Sequence, residues 1–113
     1  MKSYWDNHYR HMTEDTEFGP GSDLYRQYEF YLDLIGAPAP DAHVLDLGCS
    51  VGNLLQVWRD RGFRELHGVD MDAASIAIAR ERRPDITFHD QKLMDWLAGN
   101  DRQFDVVSLL SVL

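Results

Sequence analysis

Aspartates close short apolar runs at three places in this chain. Asp46 lies in Val44-Leu45-Asp46-Leu47, Asp70 follows Leu66-His67-Gly68-Val69, and Asp90 follows Ile86-Thr87-Phe88-His89. Gly48-Cys49-Ser50-Val51-Gly52 comes directly after the first run. Gly48 and Gly52 bracket a tight turn where a side chain would block close approach of a ligand to the backbone. A strand, a glycine turn and a helix N-terminus make a preformed site for an adenosine-containing cofactor. An acidic residue about 20 positions after such a loop accepts hydrogen bonds from ribose hydroxyls. Asp70 stands there, the plainer alternative being that it begins a turn.

Other reactive side chains carry less. Cys49 has no histidine paired with it in the local pattern, so it reads as a small loop residue rather than a nucleophile. His89 is a general-base candidate by chemistry alone, and otherwise a surface or loop histidine. His8 and His11 can face the same way on a helix, but no third ligand is in register, and no metal is expected.

The elements that must position these residues alternate. Ser22 or Asp23 caps a helix with Leu24, Tyr28, Tyr31 and Ile35 on one face, ended by Gly36 with Pro38 and Pro40 beyond. A strand then enters the glycine loop. Leu54, Val57 and Trp58 mark an amphipathic helix after it, stopped by Gly62. Leu66 to Val69 is the second strand. Asp72 caps an alanine-rich helix running to Arg83, with Ala73, Ile76 and Ala77 on one face and Pro84 closing it. Arg80, Arg82 and Arg83 read as a solvated helix C-terminus. Ile86-Thr87-Phe88 is the third strand, Leu93, Met94, Trp96 and Leu97 a short helix, and Phe104 to Leu110 the fourth strand. Such alternation implies an α/β fold, a parallel sheet with helices on both faces.

The stretch from Val44 to Asn53 resembles the first motif of the class I S-adenosylmethionine-dependent methyltransferases, an acidic residue at a strand end followed by Gly-x-Gly-x-Gly. Asp46, Gly48 and Gly52 match, while Ser50 replaces the middle glycine. That replacement is tolerable if Ser50 keeps an ordinary negative φ, and it could tighten the pocket. Phe104-Asp105-Val106-Val107 resembles the family's fourth strand. The resemblance implies a Rossmann-like sheet of order 3-2-1-4 in an incomplete class I methyltransferase fold. Residues 44–113 would be the cofactor-binding half-domain, and residues 1–43 an N-terminal aromatic segment and helix. It implies S-adenosylmethionine as cofactor and S-adenosylhomocysteine as product. Asp46, Gly48, Cys49, Ser50, Gly52, Met71 and Gln91 would line the cofactor, with Asp70 holding its ribose and Asp90 meeting its adenine amino group. Leu110 would meet its methionine portion through backbone or packing, and Tyr4 or Tyr9 could fold over that end.

Composition sets limits. A net charge of −8 argues against a nucleic-acid backbone or an anionic membrane as partner and reads as solubility. Cys49 is the single cysteine, which excludes an internal disulfide and suits a reducing, cytoplasmic setting. No apolar run reaches the ~18 residues of a membrane span. The pattern stops at Leu113 in mid-course, so a piece of a longer chain is expected, with the apolar fourth strand open to a second copy.

The function this resemblance implies is methyl transfer, with a small-molecule acceptor favoured. The alternatives are a non-catalytic cofactor-binding or interaction fragment and, less favoured, a nicotinamide-dependent oxidoreductase. The oxidoreductase expects Gly-x-Gly-x-x-Gly, whereas Gly48 begins Gly-x-Ser-x-x-Asn.

Overall fold

The computed structural model describes residues 18–109. Its centre is a parallel pair, β1 (His43–Leu47) against β2 (Glu65–Asp70), in register from His43 opposite Glu65 to Leu47 opposite Val69. Both strands are exposed at their first residue and buried at every later one. Burial of that kind belongs to a sheet covered on both faces. β3 (Thr87–Asp90) flanks β2, and β4 (Val106–Ser108) flanks β1, both parallel. The order is β3-β2-β1-β4, as the resemblance led us to expect.

Among the described residues, four helices connect and cover the strands: α1 (Asp23–Ile35), α2 (Asn53–Asp60), α3 (Ala73–Arg82) and α4 (Leu93–Ala98). Successive strand residues point to opposite faces. Val44 and Leu66 therefore pack with Trp58, Leu55 and Ile76 under α1–α3, while Leu45, Leu47 and Val69 pack with Trp96 of α4. Gly68 is fixed by this layering. A Cβ there would lie 2.7 Å from Cys49 Sγ and 2.9 Å from Leu55 Cδ1, so only glycine lets the loop and α2 settle on β2.

Local chemistry sets the helix ends. The Ser22 hydroxyl accepts from the Tyr25 N–H at 3.3 Å, and Gly36, at φ 99°, terminates α1. Asp72 caps α3 by accepting from the Ser75 N–H at 3.3 Å. Two helical faces differ from expectation. α1 buries Tyr25 and Leu32 and leaves Ile35 half exposed, because it docks through Tyr25, whose hydroxyl donates to Asp60 Oδ2 at 2.8 Å. α3 buries Ser75, Ile76 and Ala79 rather than Ala73 and Ala77. In so alanine-rich a helix the apolar stripe is too weak to choose a face, and contact with the sheet decides it. Among the described residues no helix is long and apolar enough to cross a membrane.

Candidate cofactor site

The glycine loop turns on alternate left-handed residues: Gly48 at φ 78°, Ser50 at 52° and Gly52 at 86°. Ser50 thus lacks the negative φ its side chain prefers, at a cost of roughly 1–2 kcal/mol. Neighbouring groups hold it there. The Gly48 and Cys49 N–H groups both donate to the Val69 carbonyl, at 2.8 and 3.1 Å. The Ser50 N–H donates to Asp70 Oδ2 at 2.8 Å. Gly52 has a second requirement, since a Cβ there would meet the Phe88 ring at 2.8 Å. Its missing side chain makes room for the protein's own core.

Asp46 lies at the loop's entrance and is only 3% exposed. The Ser108 hydroxyl of β4 donates to its Oδ1 at 2.7 Å, and among the described residues no cation pairs with it. Burial pushes its carboxyl up to about 7, the Ser108 hydrogen bond opposing and the Asp70 charge adding to that rise. Tyr28 faces this charge from α1, its phenol pushed up to about 12 by burial and then by Asp46. Burial also raises the Cys49 thiol well above its ordinary value, with Asp46 and Asp70 adding to it, so this buried thiol is inert at neutral pH.

Asp70 ends β2 with both oxygens engaged, Oδ2 by the Ser50 N–H and Oδ1 by the Asp72 N–H at 2.8 Å. A carboxylate has about four acceptor positions, so capacity for ribose hydroxyls remains. Asp90 stands opposite Asp70 in the β2–β3 register, and the Gln91 N–H donates to the Asp70 carbonyl at 3.1 Å. Met71 is 67% exposed beside them, an apolar side chain free to cover a flat ring. Asp46, Asp70 and Asp90 thus stand at or near the carboxyl ends of adjacent strands, with the loop between the first two. Leu110, Tyr4, Tyr9, His8 and His11 lie outside the described residues.

Two expectations need correction. Arg83 is not solvated. It is 3% exposed and turns back onto the loop, its Nη1 donating to the Val51 carbonyl at 2.8 Å. Pro84 ends α3 and frees the Arg83 side chain from helical direction. His89 is not a loop histidine either. It lies in β3, stacked on His67 of β2 with ring centroids 5.6 Å apart and planes 7° apart. His67 Nδ1 lies 3.3 Å from His89 Nε2, and Arg102 Nη1 is 3.4 Å from His67 Nε2. A cleft of about 400 Å³ opens beside them, lined by His89, Trp96 and Arg102 among others. Sequence reasoning also missed Ser108. Its only signal was a hydroxyl in an otherwise apolar strand.

The site suits a cationic, hydrogen-bonding cofactor. Asp46 is a buried carboxylate without a cation, and the Ser50 hydroxyl is buried without a hydrogen-bond partner among the described residues. Residues 44–113 match the family model described as "Methyltransferase domain". The chain belongs to the class I S-adenosylmethionine-dependent methyltransferases. A methyltransferase relative, the dTDP-3-amino-3,6-dideoxy-alpha-D-glucopyranose N,N-dimethyltransferase of Streptomyces fradiae, is 31% identical over 93 residues, 81% of this chain and 35% of that one. The trans-aconitate 2-methyltransferase of Acidovorax sp. (strain JS42) is 38% identical over 63 residues, 55% of this chain and 24% of that one. Among solved methyltransferases, S-adenosylmethionine-bound CalS10, an amino pentose methyltransferase from Micromonospora echinaspora, matches with a TM-score of 0.66 at 25% identity. That match covers 99% of this chain and 44% of the other. This chain therefore spans about a third of the length of the first of these curated methyltransferases and about a quarter of the second.

Proposed function

We propose that the protein containing this chain transfers a methyl group from S-adenosylmethionine to a small-molecule acceptor, with residues 44–113 as its cofactor-binding half. The observation that carries the reading is the buried Asp46 carboxylate, without a cation among the described residues, at the mouth of a loop held by Asp70. A cationic ligand offsets the cost of burying that charge, whereas a dinucleotide's pyrophosphate would be repelled by it. The cofactor supplies the activated methyl group, a sulfonium being a good leaving group in an in-line displacement.

The chain's own residues bind and orient. Asp46 takes the cofactor's ammonium end, directly or through water. Gly48, Cys49, Ser50 and Gly52 present loop backbone, and the Ser50 hydroxyl finds a partner. Asp70 accepts from the ribose hydroxyls, Met71 covers the adenine and Asp90 with Gln91 accepts its edge. What these residues contribute is alignment of donor and acceptor at ~3–3.5 Å.

The relatives' names support a small-molecule acceptor, since sugars and trans-aconitate appear among them. The single cysteine, buried and reduced, supports a cytoplasmic setting. Among the described residues β4 is the outermost strand on its side of the sheet, and we extend the proposal to self-association through it.

Calorimetric titration with S-adenosylmethionine, with NAD as control, tests the cofactor reading. Saturable binding of S-adenosylmethionine alone, weakened at least about tenfold by Asp70→Ala, is the expected result. A folded chain that binds neither, or binds NAD instead, overturns it.

A further inference from the structure

Arg83 makes contacts that no surface role explains. Its Nη1 donates to the Val51 carbonyl at 2.8 Å, and its Nη2 to Asn53 Oδ1 at 2.8 Å and Gln56 Oε1 at 2.6 Å. Every one of these acceptors belongs to the glycine loop or the first turns of α2. All three are neutral, and Nε has no partner among the described residues. A buried cation served by amides and a carbonyl, beside the positive end of a helix, is a costly way to fill space. Burial duly lowers its guanidinium to about 10, with the Arg59 charge next in effect.

The loop explains the expense. Val51 is fully buried between left-handed Ser50 and Gly52, so its carbonyl cannot reach a regular ladder and needs a donor brought to it. Asp70 already holds the preceding N–H, that of Ser50, at 2.8 Å. Asp70 ends β2 and Arg83 directly follows α3, so one strand–helix unit holds the loop at neighbouring peptide groups through opposite charges.

We propose that Arg83 is a positioning residue for the cofactor loop: its forked guanidinium fixes the Val51 peptide and the start of α2, and thereby the backbone surface that the cofactor meets. The claim about affinity rests on the cofactor reading above. The claim about loop geometry does not.

The fork makes the role specific to arginine. Lysine keeps the charge and the stem but is a point donor that cannot span Val51, Asn53 and Gln56. Arg83→Lys should stay folded, bind S-adenosylmethionine about tenfold or more weakly, and exchange the Ser50 and Gly52 amides faster. The amides of Leu45 and Val69 in the sheet should keep their protection. Arg83→Ala should lose at least as much affinity, and guanidinium ion at non-denaturing concentration should restore part of it while ammonium does not. A residue needed only for stability would respond in the opposite sense, since guanidinium destabilises folded proteins. Wild-type affinity and unchanged loop exchange in Arg83→Lys would overturn the proposal, as would the unfolding of both variants, which would assign Arg83 to the fold at large. If the wild-type chain binds no S-adenosylmethionine, the cofactor reading fails by itself, and loop exchange in Arg83→Lys still decides the role of Arg83.

Discussion

At the residue scale, Asp46 joins stability to binding. Its carboxyl is raised to about 7 from an ordinary value of 3.8. A carboxyl whose pKa rises on folding contributes stability that is present below its unfolded value and lost as pH climbs through the folded one. Without cofactor, this group therefore weakens the fold between about pH 4 and pH 7. Asp46→Asn keeps an acceptor for the Ser108 hydroxyl and removes the charge. We expect it to stabilise the cofactor-free chain by about 2 kcal/mol near pH 8, with the gain shrinking toward about pH 5. Denaturant melts at both pH values check this. The same substitution should abolish measurable S-adenosylmethionine binding, a trade of function for stability. Wild-type binding near neutral pH should also release part of a proton, visible as a heat that depends on the buffer's ionisation enthalpy.

At the scale of elements, β2, β3 and α4 meet around the stacked His67 and His89. Both imidazoles are lowered from 6.5. Burial is the main cause for each, and Arg102 is the next; His67 feels His89 and His43 as well, opposed by Glu65, and His89 feels Arg80. Neutral rings can pass hydrogen bonds from Arg102 to His67 to His89, whereas protonated rings would place cations side by side. Groups with depressed folded pKa values give stability above the unfolded value and lose it as pH falls below about 6.5. The acid loss of stability from about pH 7 to pH 5 should therefore flatten in His67→Phe, which keeps an aromatic ring edge-on to Phe104 and removes the titration of His67. Thermal melts across that range test it, and an unchanged slope would sink the idea. The sequence placed His67 in the second strand and read His89 as a surface or loop residue. Only the register, Val69 opposite His89 and His67 opposite Thr87, brings their rings together.

At the scale of the whole molecule, β4 is the outermost strand on its side of the sheet among the described residues. β4 pairs with β1 on one edge, while Val107 is 53% and Leu34 of α1 70% exposed around a groove of about 350 Å³. An apolar edge strand of this kind seeks another strand. The proposed self-association through β4 predicts a concentration-dependent dimer in size-exclusion chromatography with light scattering, and its loss in Val107→Lys. A monomer at every concentration would remove the proposal.

Much of this was legible in the amino-acid order. Short apolar runs, glycine stops and capping residues such as Ser22 and Asp72 mark the elements, because caps and turns act over three or four residues. Asp46, Gly48, Gly52 and Asp70 marked the glycine loop and the strand ends of the candidate site, because loop geometry and strand ends are local consequences of residue type. The tertiary structure decided what depends on partners distant in sequence. It put Ser50 in a left-handed conformation because Asp70, 20 residues on, takes its N–H. It turned α1 onto Tyr25, stacked His89 on His67, and sent Arg83 from a nominal helix end into the core to meet Val51, 32 residues away. Hydrophobic pattern records how much surface a segment must bury, while the partner of a buried polar group is chosen only when the chain has closed around it.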